Sequence, residues 1–208
     1  MLKIGRMMIG SYQTNCYFIY KEGDGRAIVV DPADQGQKIY DALHRNGFSV
    51  EAILLTHAHF DHILGANELR QTADVKIYAL DAEEALCTDV NKNLSGMVGR
   101  PYTVDVDEYL KDGQEVTIAD MTFKVIATPG HTCGSCCYYF ENPGVLVCGD
   151  TLFYESTGRT DFPTGSSREI VKSIKEKLFV LPEDTLCYPG HGESTTIEHE
   201  KLYNPFVS

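Results

Sequence analysis

The sequence predicts an α/β fold of four layers, two mixed β-sheets packed face to face with helices outside them, an αββα sandwich. Three observations carry this reading. Short apolar runs bounded by turn residues recur in both halves of the chain. Stretches of helical periodicity, notably 37–45 and 168–178, lie among those runs. Motifs rich in histidine and aspartate follow directly on predicted strands, where α/β proteins place their sites.

The first strands are predicted over 3–9, 15–20 and 27–30, as an antiparallel sheet with a hairpin turn at Lys21-Glu22-Gly23-Asp24-Gly25 and a stop at Asp31-Pro32. A helix over 37–45 places Ile39, Ala42 and Leu43 on one face, Asn46-Gly47 ends it, and 52–55 returns as a buried strand. A helix over 66–71, a strand over 75–80 and a short helix over 81–87 with an acidic first turn come next. Residues 88–102 lack periodicity and contain Gly96, Gly99 and Pro101; a loop of that length predicts a lid over the site. Strands over 116–118, 122–127, 136–140 and 145–148 make a second sheet. A helix over 168–178 turns Ile170, Val171, Ile174 and Leu178 inward, before a strand over 185–188 and a terminal helix near 195–203.

A chain of 208 residues with 43% apolar composition suits one domain over 1–208. Eighteen basic against 30 acidic residues give a formal charge of −12 with no basic block, which argues against binding nucleic acid or an anionic membrane. No stretch reaches the roughly 20 apolar residues that span a bilayer, and no secretory signal precedes the first strand. Seven scattered cysteines, an odd number, predict free thiols in a reducing, cytoplasmic setting. Cys133, Cys136 and Cys137 read as small residues entering a buried strand.

The chemistry concentrates in Thr56-His57-Ala58-His59-Phe60-Asp61-His62, at the end of the strand over 52–55. In an extended turn His57 and His59 project to one side, so that one ion can take both imidazoles. Asp61 and His62 begin the next turn and offer an oxygen and a nitrogen to a second ion beside the first. His131 in Thr128-Pro129-Gly130-His131-Thr132, Asp150 in Cys148-Gly149-Asp150-Thr151 and His191 in Tyr188-Pro189-Gly190-His191-Gly192 also follow strands and join the same edge. Asp150 can bridge two cations with its two oxygens. His44 and His199, without neighbouring ligands, read as surface residues, and Tyr12, Tyr17, Phe153 and Tyr154 as core.

The ordered set His57-x-His59-x-Asp61-His62, His131, Asp150, His191 resembles the metallo-β-lactamase superfamily across most of the chain. Within it, Thr128–Thr132, Gly149–Phe153, Gly158-Arg159-Thr160-Asp161-Phe162 and Tyr188–Gly192 resemble the small single-domain hydrolases related to glyoxalase II. The resemblance implies a binuclear thioester hydrolase with two divalent metal ions, zinc by default and iron or manganese as alternatives. It assigns His57, His59 and His131 to the first ion and Asp61, His62 and His191 to the second, with Asp150 shared. Asp61 and Asp150 are then the catalytic carboxylates. Water acidified toward a pKa of about 7 would attack the carbonyl carbon of a small-molecule thioester.

Arg159 has two readings, a loop salt bridge with Asp161 or a contact to a substrate carboxylate or a metal ligand. Its loop departs from glyoxalase II, where a lysine and an aromatic residue touch glutathione, and the helical extension of that enzyme is missing. Glutathione is therefore not implied as the thiol. A mononuclear iron persulfide dioxygenase, using the equivalents of His57, His131 and Asp150, shares the Gly-Arg-Thr-Asp-Phe run; Pro189-Gly190-His191-Gly192 favours the hydrolase. A lactone hydrolase is a further alternative on the same site, β-lactam hydrolysis is disfavoured for want of an export signal, and no residue pattern selects an oligomeric state.

Overall fold

The computed structural model describes residues 1–207; Ser208, the last residue of the expected domain, lies outside the described residues. Strands β1 (Leu2–Ile9), β2 (Thr14–Lys21) and β3 (Arg26–Val30) form an antiparallel meander. Helix α1 (Gly36–Arg45) then carries the chain to β4 (Ser49–Leu54), parallel to β3. Helices α2 (Phe60–Ile63) and α3 (Ala66–Ala73) lead to β5 (Ile77–Leu80), also parallel. A tight turn at Asp81–Glu83 and helix α4 (Glu84–Cys87) precede the edge strand β6 (Glu108–Leu110). With a single inward residue, Leu110, β6 has too little pattern to be read from sequence.

The second sheet holds β7 (Glu115–Ile118), β8 (Met121–Ala127), β9 (Cys136–Phe140) and β10 (Val145–Gly149) as antiparallel neighbours. A two-residue hairpin, β11 (Leu152–Phe153) and β12 (Ser156–Thr157), stands apart. Helix α5 (Ser167–Ser173) opens on Ser166, whose hydroxyl accepts the Glu169 N–H. The predicted helix over 168–178 is α-helical only to Ser173; Ile174–Leu178 widens into a π turn in which the Phe179 N–H donates to the Ile174 carbonyl at 2.8 Å. Strand β13 (Leu186–Pro189) pairs parallel to β10, and β14 (Thr195–Thr196) and helix α6 (Ile197–Tyr203) complete the fold.

Period-two alternation sorts the side chains into layers. Ile28, Val30 and Leu54 of the first sheet meet Phe123, Val125, Tyr138 and Val147 of the second between the sheets. Their neighbours Val29 and Ile53 face outward onto Ile39 and Leu43 of α1 and Leu69 of α3. Ile126, Cys137 and Leu146 face the opposite way onto Ile170, Ile174 and Ile197. This is the expected αββα sandwich. All seven cysteines are free; Cys136 and Cys137 are buried at the start of β9 as expected, whereas Cys133 is exposed in the turn before it. Among the described residues no helix is long and apolar enough to cross a membrane.

The topology positions the site. Because β8, β10 and β13 run in one direction within their sheet, their C-terminal ends share an edge, and the Cys136 N–H donates to the Thr56 carbonyl just beyond the end of β4. Leu54 is fully buried between the sheets, so Leu54→Ala is expected to lower unfolding free energy by about 2–5 kcal/mol. Urea denaturation checks this, and a loss below about 1 kcal/mol contradicts the packing described.

Candidate metal centre

Seven side chains meet at this edge: His57, His59, Asp61 and His62 from the turn after β4 and the start of α2, His131 after β8, Asp150 after β10, and His191 after β13. Three groups within them offer ligand atoms all within 4.8 Å of one another: His57, His59 and His131; His57, His62 and Asp150; Asp61, His62 and His191. The His57 ring lies 4.0 Å from that of His62 and 4.7 Å from that of His131, centre to centre. His59 Nδ1 and His131 Nε2 are 2.8 Å apart. Asp150 reaches both sides, with Oδ1 at 3.4 Å from His62 Nε2 and Oδ2 at 3.5 Å from His131 Nε2. His191 Nε2 is 3.2 Å from Asp61 Oδ2. Every sequence-predicted metal residue is therefore present in one cluster.

Hydrogen bonds outside the cluster fix which nitrogen faces inward. Asp31 accepts the Thr56 N–H at 2.8 Å, the Thr56 hydroxyl at 2.6 Å and the His62 Nδ1–H at 3.0 Å. With its proton committed to Asp31, Thr56 Oγ1 accepts from His57 Nδ1–H at 3.2 Å. His131 Nδ1–H donates to the Arg159 carbonyl at 2.7 Å. These bonds leave Nε2 of His57, His62 and His131 pointing into the cluster. Nε2 of His57, His59 and His62 and Oδ1 of Asp150 are buried with no hydrogen-bond partner, and polar atoms are seldom left so unless something else meets them.

Burial, reinforced by the surrounding histidines, holds His57 well below the ordinary imidazole range and pushes His59 down to about 3. Burial also disfavours a charge on His62, but Asp150, Asp61 and Asp31 outweigh it and hold that imidazole well above its usual range. Burial works against ionisation of Asp61 and Asp150 too, yet His62 and His191 keep both carboxyls below their ordinary range. The neutral imidazoles of His57 and His59 beside the ionised carboxylates of Asp61 and Asp150 are donors suited to a divalent cation. The close packing leaves position 190 to glycine alone: a Cβ on Gly190 would stand 2.2 Å from Asp150 Oδ1 and 2.6 Å from His62 Cε1.

The cluster floors a cavity of about 470 Å³. Tyr12 and Phe153, expected in the core, line it instead, with Phe60, Leu94 and Phe162; Tyr12 is 54% exposed. Tyr17 is core as expected, whereas Tyr154 is exposed and stacks on His199. His199 is not a bare surface residue, since its Nε2 lies 3.0 Å from Glu155 Oε1. Both readings of Arg159 have a counterpart. Its guanidinium pairs with both Asp161 oxygens at 2.8 and 2.7 Å, over the Phe162 ring, while its carbonyl orients His131.

Within the loop expected as a lid, 93–95 is buried and 96–101 is exposed. Asn93, Leu94 and Ser95 are buried, the Asn93 carbonyl accepts the Phe60 N–H at 2.9 Å, and Arg100 is tied to Asp34 at 2.7 and 3.1 Å. Sequence reasoning missed Asp31, Thr56 and Glu83, which hold the ligand turns without joining them. The only sequence signal for Asp31 was the strand-ending Asp31-Pro32.

The family model for the metallo-beta-lactamase superfamily matches residues 9–191. The chain belongs to the metallo-beta-lactamase superfamily. Among superfamily relatives, it is 37% identical to the probable metallo-hydrolase YqgX of Bacillus subtilis, over all of this chain and 98% of that one. It is 29% identical to the hydroxyacylglutathione hydrolase GloC of Haemophilus influenzae, over 96% and 95%. Among solved structures, BLEG-1 B3 metallo-beta-lactamase superposes with a TM-score of 0.94 at 37% identity, covering 99% and 100% of the two chains. The di-iron-bound form of TTHA1623 gives 0.86 at 30%, covering 97% and 99%. ETHE1 from Myxococcus xanthus gives 0.80 at 27%, covering 98% and 83%.

Because three carboxylates surround it, His62 in the metal-free chain is expected to be protonated at pH 7, while His57 and His59 are neutral. Nitrogen NMR of the labelled chain across pH 5 to 9 reads this directly, and a neutral His62 at pH 7 would contradict the electrostatics described.

Proposed function

We propose that this metallo-hydrolase is a binuclear enzyme that cleaves thioesters, an activity of the hydroxyacylglutathione hydrolase type. The observation that carries the reading is the second ligand set. Asp61, His62 and His191 converge beside His57, His59 and His131, with Asp150 between them, whereas a mononuclear oxygenase needs only one set. On this reading His57, His59 and His131 hold one divalent ion and Asp61, His62 and His191 the other, with Asp150 shared. The four buried polar atoms that lack partners fit this role. Zinc is the default, and the di-iron form of TTHA1623 supports iron as an alternative.

Bound ions would supply a water of pKa about 7 and polarise the substrate carbonyl. The chain's own residues do the rest. Asp150 and Asp61, both held ionised, would hold the ions and orient the water between them; the Thr14 hydroxyl, 3.4 Å from Asp61 Oδ2, fixes the Asp61 carboxylate. Phe60, Phe153 and Phe162 shield the reacting carbonyl from bulk solvent. Arg159, at the rim, meets any carboxylate on the substrate by exchanging it for Asp161.

A second reading, β-lactam hydrolysis, draws support from the similarity to BLEG-1. The thioester asks less of the site: a thiolate, with an unperturbed thiol pKa near 8.5, departs without a proton donor, whereas an amide nitrogen needs one and both carboxylates are ionised.

The test is hydrolysis of S-lactoylglutathione, acyl thioesters of a simple neutral thiol, a cephalosporin and a lactone by chain of measured metal content. Thioester turnover that falls at least ~10³-fold in Asp150→Ala, with the metal lost, is the expected outcome. Turnover of the cephalosporin alone would move the chain to the second reading. One iron per chain with oxygen uptake on a persulfide and no hydrolysis would make it an oxygenase, the reading the similarity to ETHE1 supports.

A further inference from the structure

The Glu83 carboxyl group is buried to 1% exposure in the tight turn before α4. Such a group is costly to bury unless its oxygens are well satisfied. One oxygen accepts the Ala58 N–H at 2.8 Å and the other accepts the Thr132 hydroxyl at 2.8 Å, from segments 25 and 49 residues away. The Gly134 N–H also bonds the carboxylate. Ala58 lies between His57 and His59, and Thr132 directly follows His131. The two oxygens of one side chain thus span the two segments that carry the three-histidine group.

The surroundings keep this clamp rigid. The Thr132 N–H donates to Ser135 Oγ at 3.1 Å, and the Thr132 and Ser135 hydroxyls are 2.7 Å apart. The turn backbones touch directly, since a Cβ on Gly134 would stand 2.2 Å from the Glu83 nitrogen. Burial pushes the Glu83 carboxyl up to about 8 against the pull of its hydrogen-bond donors.

We propose that Glu83 is a positioning residue for the three-histidine metal site: by gripping Ala58 and Thr132 it sets the distance between the His57–His59 pair and His131. Glu83 bonds none of these histidines, and its effect on the site passes through backbone. The proposal rests on reading those histidines as metal ligands.

The experiment titrates zinc into metal-free wild type, Glu83→Gln, Thr132→Val and Thr132→Ser against a chromophoric chelator. It also records the visible spectrum of cobalt bound to each and the thermal unfolding of each metal-free form. Glu83→Gln keeps the shape and the oxygen that accepts the Ala58 N–H but puts an NH2 donor where the other oxygen accepts the Thr132 hydroxyl, Thr132→Val removes the hydroxyl, and Thr132→Ser keeps it. The expected result is affinity for one ion weakened about 10–100-fold in Glu83→Gln and Thr132→Val, the range found for partners of metal ligands. The cobalt spectrum is expected to shift, the metal-free midpoints to stay within about 5 °C of wild type, and Thr132→Ser to bind as wild type does. Wild-type affinity and spectrum in both Glu83→Gln and Thr132→Val would overturn the proposal alone. So would lower midpoints with unaltered cobalt spectra, the signature of a purely structural carboxylate. Wild type that binds no zinc or cobalt would overturn the metal reading and this proposal with it.

Discussion

The carboxylate of Asp31 is the interaction on which the site depends. It sits at the end of β3 and accepts three hydrogen bonds, two from Thr56 and one from His62. Through Thr56 it fixes the turn leaving β4 and, one bond further, the tautomer of His57. Through its direct bond it aims His62 at Asp150 and Asp61. One buried anion therefore orients imidazoles from both proposed ligand sets, and it does so from the first sheet, whose strand order places β3 beside β4.

The remaining ligands arrive from the second sheet, and their turns are held by the first. Asn15 donates to the carbonyls of Pro189 and Gly192, and the Tyr17 hydroxyl donates to Pro189, so β2 grips the turn that presents His191. Glu83 does the same for the turn after His131. The packing between the sheets, Leu54 and Val30 against Tyr138 and Val147, is what keeps these grips in register. Side chains held this way have few other positions open to them, which favours a defined ligand geometry.

Much of this was legible in the sequence. Alternation marked the long strands because each has one face between the sheets and one under helices, and the histidine motifs stood out because they interrupt that alternation at strand ends. Strands β6, β11, β12 and β14 were not legible, since two or three residues carry no period. The anchoring within 88–102 was not legible because Asn93 and Ser95 bond Tyr102 inside the loop itself, while the ties to the rest of the fold, Arg100 to Asp34 and the Asn93 carbonyl to Phe60, join residues far apart in the chain. Asp31, Thr56 and Glu83 were missed for the same reason: a lone polar residue declares its role only through the backbone it meets. Tyr12 and Phe153 became cavity walls because the β1–β2 turn and the β11–β12 hairpin project beyond the sheet edge that was read as core.

The central claim is that this chain holds two ions side by side. Anomalous diffraction from crystals of the chain as purified, measured at the zinc and iron absorption edges, tests it most directly. The account predicts two peaks, one among His57, His59 and His131 and one among Asp61, His62 and His191, with Asp150 between them. A single peak held by His57, His131 and Asp150, with His191 turned away, would contradict it.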